Sequence, residues 1–116
     1  MQEVRRSLHK YFGPKCLNLA CEGNFYYDAS KCGIGYHGDG ERRLVIGARC
    51  GASIPLHFNW WQKSEAVGSR CRILLNSGDM YAMSEKATGF DWKLRNKLTL
   101  RHAAGAYKYI NINGKV

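Results

Sequence analysis

The sequence predicts a mainly β domain in which short strands form a sandwich, a jelly roll or a barrel. Apolar or β-prone runs recur along most of the chain, and Gly, Ser, Asn and Asp separate them. The 13 glycines suit the tight turns of such an architecture. A chain of 116 residues can bury one hydrophobic core, so we expect a single domain over residues 1–116.

Helical patterns are few, and the first lies at the N-terminus. Residues 2–12 should form a short amphipathic helix, because apolar side chains recur there at helical spacing and Gly13-Pro14 follows. A second helical turn should begin after Ser84, whose hydroxyl can cap it, and end at Gly89.

The remaining pattern is that of strands and turns. The polar segment 62–69 should connect two strands, and residues 74–81 should form a strand, a tight turn and a second strand. The predicted strands cover residues 16–20, 24–27, 34–37, 44–50, 54–61, 71–75, 79–83, 97–102 and 107–110.

The charge balance favours a polyanionic partner. Lys and Arg number 18 against 9 Asp and Glu, a formal net charge of +9. Nucleic acid is the first partner that such an excess suggests, and an acidic membrane surface is the second. No apolar run approaches the ~18 residues of a membrane span, and the first residues lead into no signal-type segment. We therefore expect a soluble, intracellular protein of the nucleus or cytoplasm.

The five cysteines do not indicate a zinc site. No C-x-x-C pair occurs among them, and the gaps between them follow no pattern. An odd number without a secretory signal favours free thiols, and buried structural cysteines are the simplest interpretation.

A possible metal site begins at His37-Gly38-Asp39. Two side chains that are two residues apart on a strand point to the same side, so His37 and Asp39 can bind one metal ion together. They would supply the first two ligands of the two-His-one-carboxylate site of non-heme Fe(II) oxygenases. H-x-D also occurs often by chance, but here it lies at the predicted end of a strand.

A basic stretch near the C-terminus can hold an anion. Arg95, Lys97, Thr99 and Arg101 share one face if the segment is a strand, and such a face can grip a small dicarboxylate. The two arginines are about 20 Å apart in that case, so each must contact a different part of a ligand. The alternative is a solvated basic strand on a basic protein.

These motifs, taken together, resemble those of the AlkB-type dioxygenases, which depend on Fe(II) and 2-oxoglutarate and dealkylate nucleic acid. The resemblance covers about residues 17–105, although Lys97 stands where the family pattern has Asn. It implies a double-stranded β-helix, which is a distorted jelly roll with iron inside one end. The motifs follow one another in the family's order: Asn24-x-Tyr26, His37-x-Asp39, Gly78-Asp79, Arg95-x-Lys97-x-Thr99-x-Arg101, Ala103 and Gly105.

The resemblance also implies how 2-oxoglutarate would be held. Asn24 and Tyr26 would form hydrogen bonds with it, and Arg95 would pair with its distal carboxylate. Arg101 would lie near the chelating end, with Thr99 on the same face. The implied reaction oxidises a C–H bond, usually of an N-methyl group in nucleic acid or on a protein, and releases formaldehyde.

The third iron ligand departs from the family pattern. It should be a His between Gly78 and Arg95, and that interval contains none. Asp91 lies nearest the expected place and is the preferred candidate. His102 is the other candidate, but it is adjacent to Arg101 and would face away from a pocket that contains Arg101. A vacant third position is the remaining alternative.

Three features favour a different class of function. Only about sixteen residues precede the resemblance, whereas AlkB-type enzymes carry an N-terminal lid over the flipped base. The missing third His and the net charge of +9 also suit a catalytically inactive dioxygenase-fold module that binds nucleic acid or assembles into a larger complex with protein partners. A jelly-roll structural protein with an accidental H-x-D is a third possibility.

Overall fold

The computed structural model describes residues 3, 7, 8, 10, 22–28 and 30–114, and most of this chain is antiparallel β structure. Two four-residue helices, α1 (Glu85–Thr88) and α2 (Tyr107–Ile110), accompany the strands. The six strands are β1 (Gly33–His37), β2 (Val45–Ala48), β3 (Ile54–Gln62), β4 (Glu65–Leu75), β5 (Met80–Met83) and β6 (Thr99–Gly105).

The strands form two sheets. The larger sheet has the order β1-β6-β3-β4, and the smaller sheet pairs β2 with β5. All of these pairings are antiparallel, which confirms the prediction of a mainly β protein. Among the described residues the sheets do not close into a barrel. Because β6 lies between β1 and β3, it brings a late segment of the chain against an early one.

The core lies between the two sheets. Leu56 and Ala104 are paired across β3 and β6 and are both buried, and Met83 of β5 belongs to the same cluster. Val45 and Tyr81 of the smaller sheet pack against this cluster. The smaller sheet therefore covers one face of the larger sheet, which we call the inner face. Side chains alternate along a strand, so the neighbours of Leu56 and Ala104 point to the outer face.

Several predicted elements are confirmed. The Ser84 hydroxyl caps α1 by accepting a hydrogen bond from the Ala87 N–H over 3.2 Å, and Gly89 ends the helix with a φ of 73°. A turn separates β4, which ends at Leu75, from β5, which begins at Met80, as expected for residues 74–81.

Other predicted elements are wrong. The segment 62–69 is mostly strand, because the two-residue turn Lys63-Ser64, with φ values of 50° and 64°, joins β3 directly to β4. Residues 24–27 form no strand, and residues 107–110 are helical. The predicted helix over 2–12 lies outside the described residues except at positions 3, 7, 8 and 10, which are helical, and the predicted strand 16–20 lies wholly outside them.

The structure also bears on the expectations about membrane spans and cysteines. Within the described part of the chain, no helix has the length and apolar character needed to cross a membrane. The three cysteines that the structure describes are free thiols, as expected, but Cys50 and Cys71 are exposed and are not part of a core.

Gly89 should be intolerant of a side chain, which provides a test of the packing beside β1 and β6. An added Cβ would lie 2.6 Å from the Leu100 carbonyl oxygen and 2.7 Å from Gly38 Cα, in addition to the strain of its φ of 73°. We expect Gly89→Ala to lower the free energy of unfolding by about 2–4 kcal/mol, measured by urea denaturation.

Gly68→Ala is the matched control, because Gly68 has a φ of 74° and open space around its Cα. That variant should lose only the conformational share, about 1 kcal/mol. Equal losses in the two variants would show that the close packing around Gly89 is not as described.

Candidate metal centre

Three potential metal ligands converge on the inner face of the larger sheet: His37, Asp39 and His102. One ligand atom from each lies within 4.8 Å of the others. The Asp39 carboxylate lies between the two rings, with Oδ1 3.6 Å from His37 Nε2 and Oδ2 3.5 Å from His102 Nε2. The two imidazole centroids are 4.4 Å apart. Strand β6 therefore places His102 beside the two residues of the H-x-D motif.

An irregularity in β1 aligns the two histidines. Gly33 pairs with Gly105 and Ile34 with Ala104, but the register shifts before His37, which pairs with His102. Uninterrupted pairing would place His37 opposite Arg101, on the other face of the sheet. The extra residue in β1 has the effect of a β-bulge, which turns the following side chain to the opposite face. Sequence periodicity carries no signal for this shift.

Asp39 is held in place by Thr88 at the end of α1. The Asp39 N–H donates to the Thr88 carbonyl over 2.8 Å, and the Thr88 hydroxyl donates to the Arg42 carbonyl over 2.9 Å. Thr88 is fully buried, so these bonds are shielded from water. The segment that carries Asp39 is therefore fixed to α1 at both ends.

The residue between His37 and Asp39 must be glycine. A Cβ on Gly38 would meet the Gly89 carbonyl oxygen and would lie 2.6 Å from Trp92 Cβ. Neither neighbour can move easily, because one is backbone and the other belongs to a large side chain. Gly38 thus permits the close approach of α1 to the strand that bears the ligands.

Backbone contact fixes the orientation of His37. Its Nδ1 donates a hydrogen bond to the Gly35 carbonyl over 2.8 Å, because a carbonyl oxygen can only accept. Nδ1 therefore carries a proton, and Nε2 is the nitrogen that faces Asp39. A backbone carbonyl behind a ligating imidazole is the usual arrangement in metal sites.

His102 is the most buried of the three ligands. Burial, followed by the charge of His37, lowers its pKa to about 4, although the Asp39 carboxylate and the Ala87 backbone oppose the shift. The ring is therefore neutral at pH 7 and can offer a nitrogen lone pair to a cation.

The donor set suits Fe(II). Two imidazoles and one carboxylate are the ligands of the facial triad, in which the remaining positions stay open for other ligands. Metal–ligand bonds of about 2.1 Å separate neighbouring ligand atoms by roughly 3 Å. The separations of 3.5 and 3.6 Å join different oxygens of Asp39 to the two rings, and the three ligand atoms lie within 4.8 Å of one another, so the side chains must move closer together to hold one cation.

Asp91, the preferred third ligand from sequence, has a different partner. Its Oδ2 accepts a hydrogen bond from Lys86 Nζ over 2.7 Å, and its side chain is almost fully buried. It does not belong to the cluster of His37, Asp39 and His102. This ion pair links α1 to the turn that follows it, so the structure gives Asp91 a packing role.

Arg101 lies on the outer face, away from the three ligands. Its guanidinium carbon is 4.7 Å from the Trp61 ring centroid and 5.3 Å from that of Trp92, and it donates to the Trp92 carbonyl over 3.4 Å. The expected alternation of Arg101 and His102 is present, but the ligand cluster is on the His102 side. The pocket that was expected to contain Arg101 is therefore not the one that the ligands face.

The rest of the predicted basic strand is divided between a turn and β6. Arg95 and Lys97 precede β6 in an exposed turn, and the Arg95 carbonyl accepts from the Lys63 N–H over 2.8 Å. Thr99 is buried at the start of β6, and its hydroxyl bonds the Trp61 carbonyl over 3.5 Å. Neither residue contacts the ligand cluster: Arg95 precedes the strand, and Thr99 lies on its outer face together with Arg101.

Of the two residues expected to bind 2-oxoglutarate near the N-terminus, Tyr26 lies beside the core and Asn24 is exposed. Tyr26 packs against the core cluster together with Tyr81. Burial raises the pKa of Tyr81, Tyr26 and Asp39 add to that rise, and Arg49 opposes it. Burial also raises the pKa of Tyr26, again against the effect of Arg49. Two phenols and one guanidinium thus lie within electrostatic reach of each other on the side of Asp39.

A cavity of about 570 Å³ adjoins the cluster. Asp39 and Gly38 form part of its wall, and the aromatic rings of Phe90 and Trp92 form another part. Two cations, Arg42 and Lys93, and the carboxylates of Glu41 and Asp91 complete its polar lining. The cavity gives a small planar group a path to the carboxylate of the cluster.

Comparison with known proteins identifies one similar sequence of unassigned role. The chain is 51% identical over 110 residues to an uncharacterized protein of Acanthamoeba polyphaga mimivirus. The alignment covers 95% of this chain and 43% of the viral protein, so the chain spans less than half the length of that relative. No protein-family model and no solved structure matches the chain.

Separate substitutions of His102 and Asp91, the two candidate third ligands, should distinguish their roles. We expect His102→Ala to weaken binding of Fe(II) at least about 100-fold under anaerobic titration, because a direct ligand is lost. Asp91→Asn should leave that affinity unchanged and lower the free energy of unfolding by about 1–3 kcal/mol, because a buried polar contact is weakened. A loss of metal affinity in the Asp91 variant alone would contradict the assignment.

Proposed function

We propose that this chain is an Fe(II)- and 2-oxoglutarate-dependent dioxygenase that removes methyl groups from nucleic acid by oxidation. The observation that carries the proposal is the convergence of His37, Asp39 and His102 on one face of the sheet. The motif order that resembles AlkB-type enzymes supports it from the sequence, and the net charge of +9 supports a nucleic-acid substrate.

The proposal includes a finer description of the fold. The larger and smaller sheets would be the two halves of a double-stranded β-helix, or jelly roll. In favour of this, the smaller sheet packs on the inner face, which is also the face of the ligand cluster. A metal held there would lie between two layers at one end of the core.

Each ligand has a defined task in this proposal. With Fe(II) and 2-oxoglutarate bound, dioxygen would be the oxidant: two of its four oxidising equivalents would convert 2-oxoglutarate to succinate and CO2, and two would hydroxylate the C–H bond. His37 would bind the metal through Nε2, since Gly35 holds its Nδ1 proton. Asp39 would bring the negative charge that offsets a divalent cation, and Thr88 restrains its backbone. His102, neutral and buried, would close the triad from β6.

The carboxylate of 2-oxoglutarate that lies away from the metal needs a cation, and Arg49 is one candidate, although its Nε and Nη2 already donate to the Ala52 carbonyl over 3.1 and 2.8 Å. Arg95 and Arg101 do not face the cluster, whereas Arg49 acts on the phenols of Tyr26 and Tyr81. Tyr81 in turn lies within electrostatic reach of Asp39. A guanidinium with two neighbouring hydroxyls offers the donors that a carboxylate prefers.

The cavity beside Asp39 is suited to a flipped base. Phe90 and Trp92 line it, but Arg43 already lies 4.5 Å from the Phe90 centroid and Arg101 5.3 Å from that of Trp92, so a base would have to use the remaining ring surface. A base that is placed there would present its methyl group to the metal side of the wall.

A second candidate is a dioxygenase-fold module without catalysis that binds nucleic acid or joins a larger assembly. The observation that favours it is the placement of Arg95 and Arg101 away from the cluster, since these are the arginines that the family pattern assigns to 2-oxoglutarate. Such a module would bind nucleic acid and would produce no succinate.

Spectroscopy tests the proposed function directly. Fe(II) and 2-oxoglutarate, added without oxygen, should give a weak visible charge-transfer band, and oxygen should then produce succinate. We expect His37→Ala to abolish the band, because one of three ligands is lost. A band that is unchanged in this variant would remove His37 from the site, and a band without succinate would favour the inactive module.

The cosubstrate cation can be identified by a pair of arginine variants. Arg49→Ala should weaken 2-oxoglutarate binding to the iron-loaded protein by about 10–100-fold, the usual loss for a charge-assisted bidentate contact. Arg95→Ala, which removes an equal charge from an exposed turn, should leave it unchanged. Both affinities can be read from the anaerobic band as 2-oxoglutarate is titrated. A greater loss of 2-oxoglutarate affinity in Arg95→Ala than in Arg49→Ala would instead support Arg95, the residue that the family pattern assigns to the distal carboxylate.

A further inference from the structure

A second cavity, of about 780 Å³, lies at the end of the β1–β6 pair that is remote from the metal ligands. Gly33, where β1 begins, and Ala106, which follows β6, belong to its wall. The Ala106 N–H donates to the Cys32 carbonyl over 3.0 Å, and this bond joins the two halves of the wall. His37 is four positions after Gly33, so the cavity is about 13 Å from the cluster along β1.

The wall is unusually rich in exposed aromatic side chains. Phe25 is 88% exposed, Tyr27 is 73% exposed, and Tyr107 is 59% exposed. Tyr26 and Tyr109 also line the cavity. Rings of this size are seldom left in water on a small protein unless a partner covers them. Two separate parts of the chain, before β1 and within α2, contribute these rings to one surface.

The positive charge of the cavity wall favours an anionic partner. Lys31 and Lys108 line the cavity, and no carboxylate is among the residues that the structure places in its wall. The Lys108 ammonium is 5.0 Å from the Tyr109 ring centroid, and Asp28 lies 4.0 Å from Lys31 at the margin. Exposed rings beside cations are the arrangement that binds single-stranded nucleic acid, whose bases stack while its phosphates meet the lysines.

We infer that this aromatic–basic surface, formed by residues 25–27, 31 and 107–109, docks the single strand that flanks a substrate base. The inference rests on the nucleic-acid partner of the proposed function and does not require the metal chemistry. A strand that lies along β1 can place one nucleotide in the cavity beside Asp39 and further nucleotides on this surface. The docking surface would then select single strands and would hold the substrate during the reaction.

Fluorescence anisotropy with metal-free protein tests the inference. The probe is a labelled oligothymidine of about 12 nucleotides, within the ~4–16 nucleotides that such surfaces cover. We expect Phe25→Ala and Tyr27→Ala each to weaken binding about tenfold. The exposed apolar residue Leu74, on β4, gives the matched control, and Leu74→Ala should have no effect. Equal effects of the Tyr27 and Leu74 variants would overturn the inference.

The lysines are tested by the salt dependence of the same binding. Lys31→Ala should reduce the slope of log K against log salt concentration by about 0.7, the contribution of one phosphate contact on a single strand. Lys63→Asn removes an equal charge from the turn between β3 and β4, where Asn tolerates the φ of 50°, and should leave the slope unchanged. The same loss of slope in both variants would show unspecific attraction and would overturn the inference.

A protein partner is the competing occupant, and its outcome is distinct. If Phe25→Ala/Tyr27→Ala/Tyr107→Ala changes a concentration-dependent mass but not the oligothymidine affinity, the surface joins copies of the chain and the inference fails. Circular dichroism checks that the triple variant is folded, and Tyr27→Ala alone carries the test if it is not. The anaerobic iron band is independent of this binding, so failure here and failure of the proposed function are distinguishable.

Discussion

The pairing of His37 with His102 is the constraint on which the candidate site depends. Cross-strand partners share a face, so this single pair places both imidazoles on the inner face and leaves Arg101 on the outer one. The shift of register in β1 creates the pairing, and Gly38 then lets the chain turn Asp39 toward both rings. A strand without that extra residue would separate the histidines by the thickness of the sheet.

The sequence was informative where the periodic pattern has few exceptions. The strand predicted over residues 54–61 is confirmed by β3 (Ile54–Gln62), which lies within the larger sheet. The cap and stop signals of α1 hold as well, since they are local. His37 and Asp39 were recognisable for the same reason: their proximity needs no information beyond their spacing.

His102, the third ligand of the proposed site, could not be preferred from sequence because its position depends on a non-local register. Sequence spacing places Asp91 near the expected position, but the ammonium of Lys86 occupies its carboxylate. From sequence, His102 was expected to face away from the metal, because its neighbour Arg101 was expected to line the pocket. That expectation fails, because the cluster lies on the His102 side of β6. The start of β6 at Thr99 likewise removes Arg95 from the strand, because turn geometry outweighs the alternating pattern of its residues.

The proposed metal site, the adjoining cavity and the aromatic–basic surface all lie along β1. The proposed function depends most on the identity of the metal ligands. X-ray absorption at the iron K-edge of anaerobically loaded protein measures them most directly. The account predicts a shell of nitrogen and oxygen near 2.1 Å, with the outer scattering of two imidazoles. Sulfur in the first shell, or no imidazole scattering at all, would contradict it.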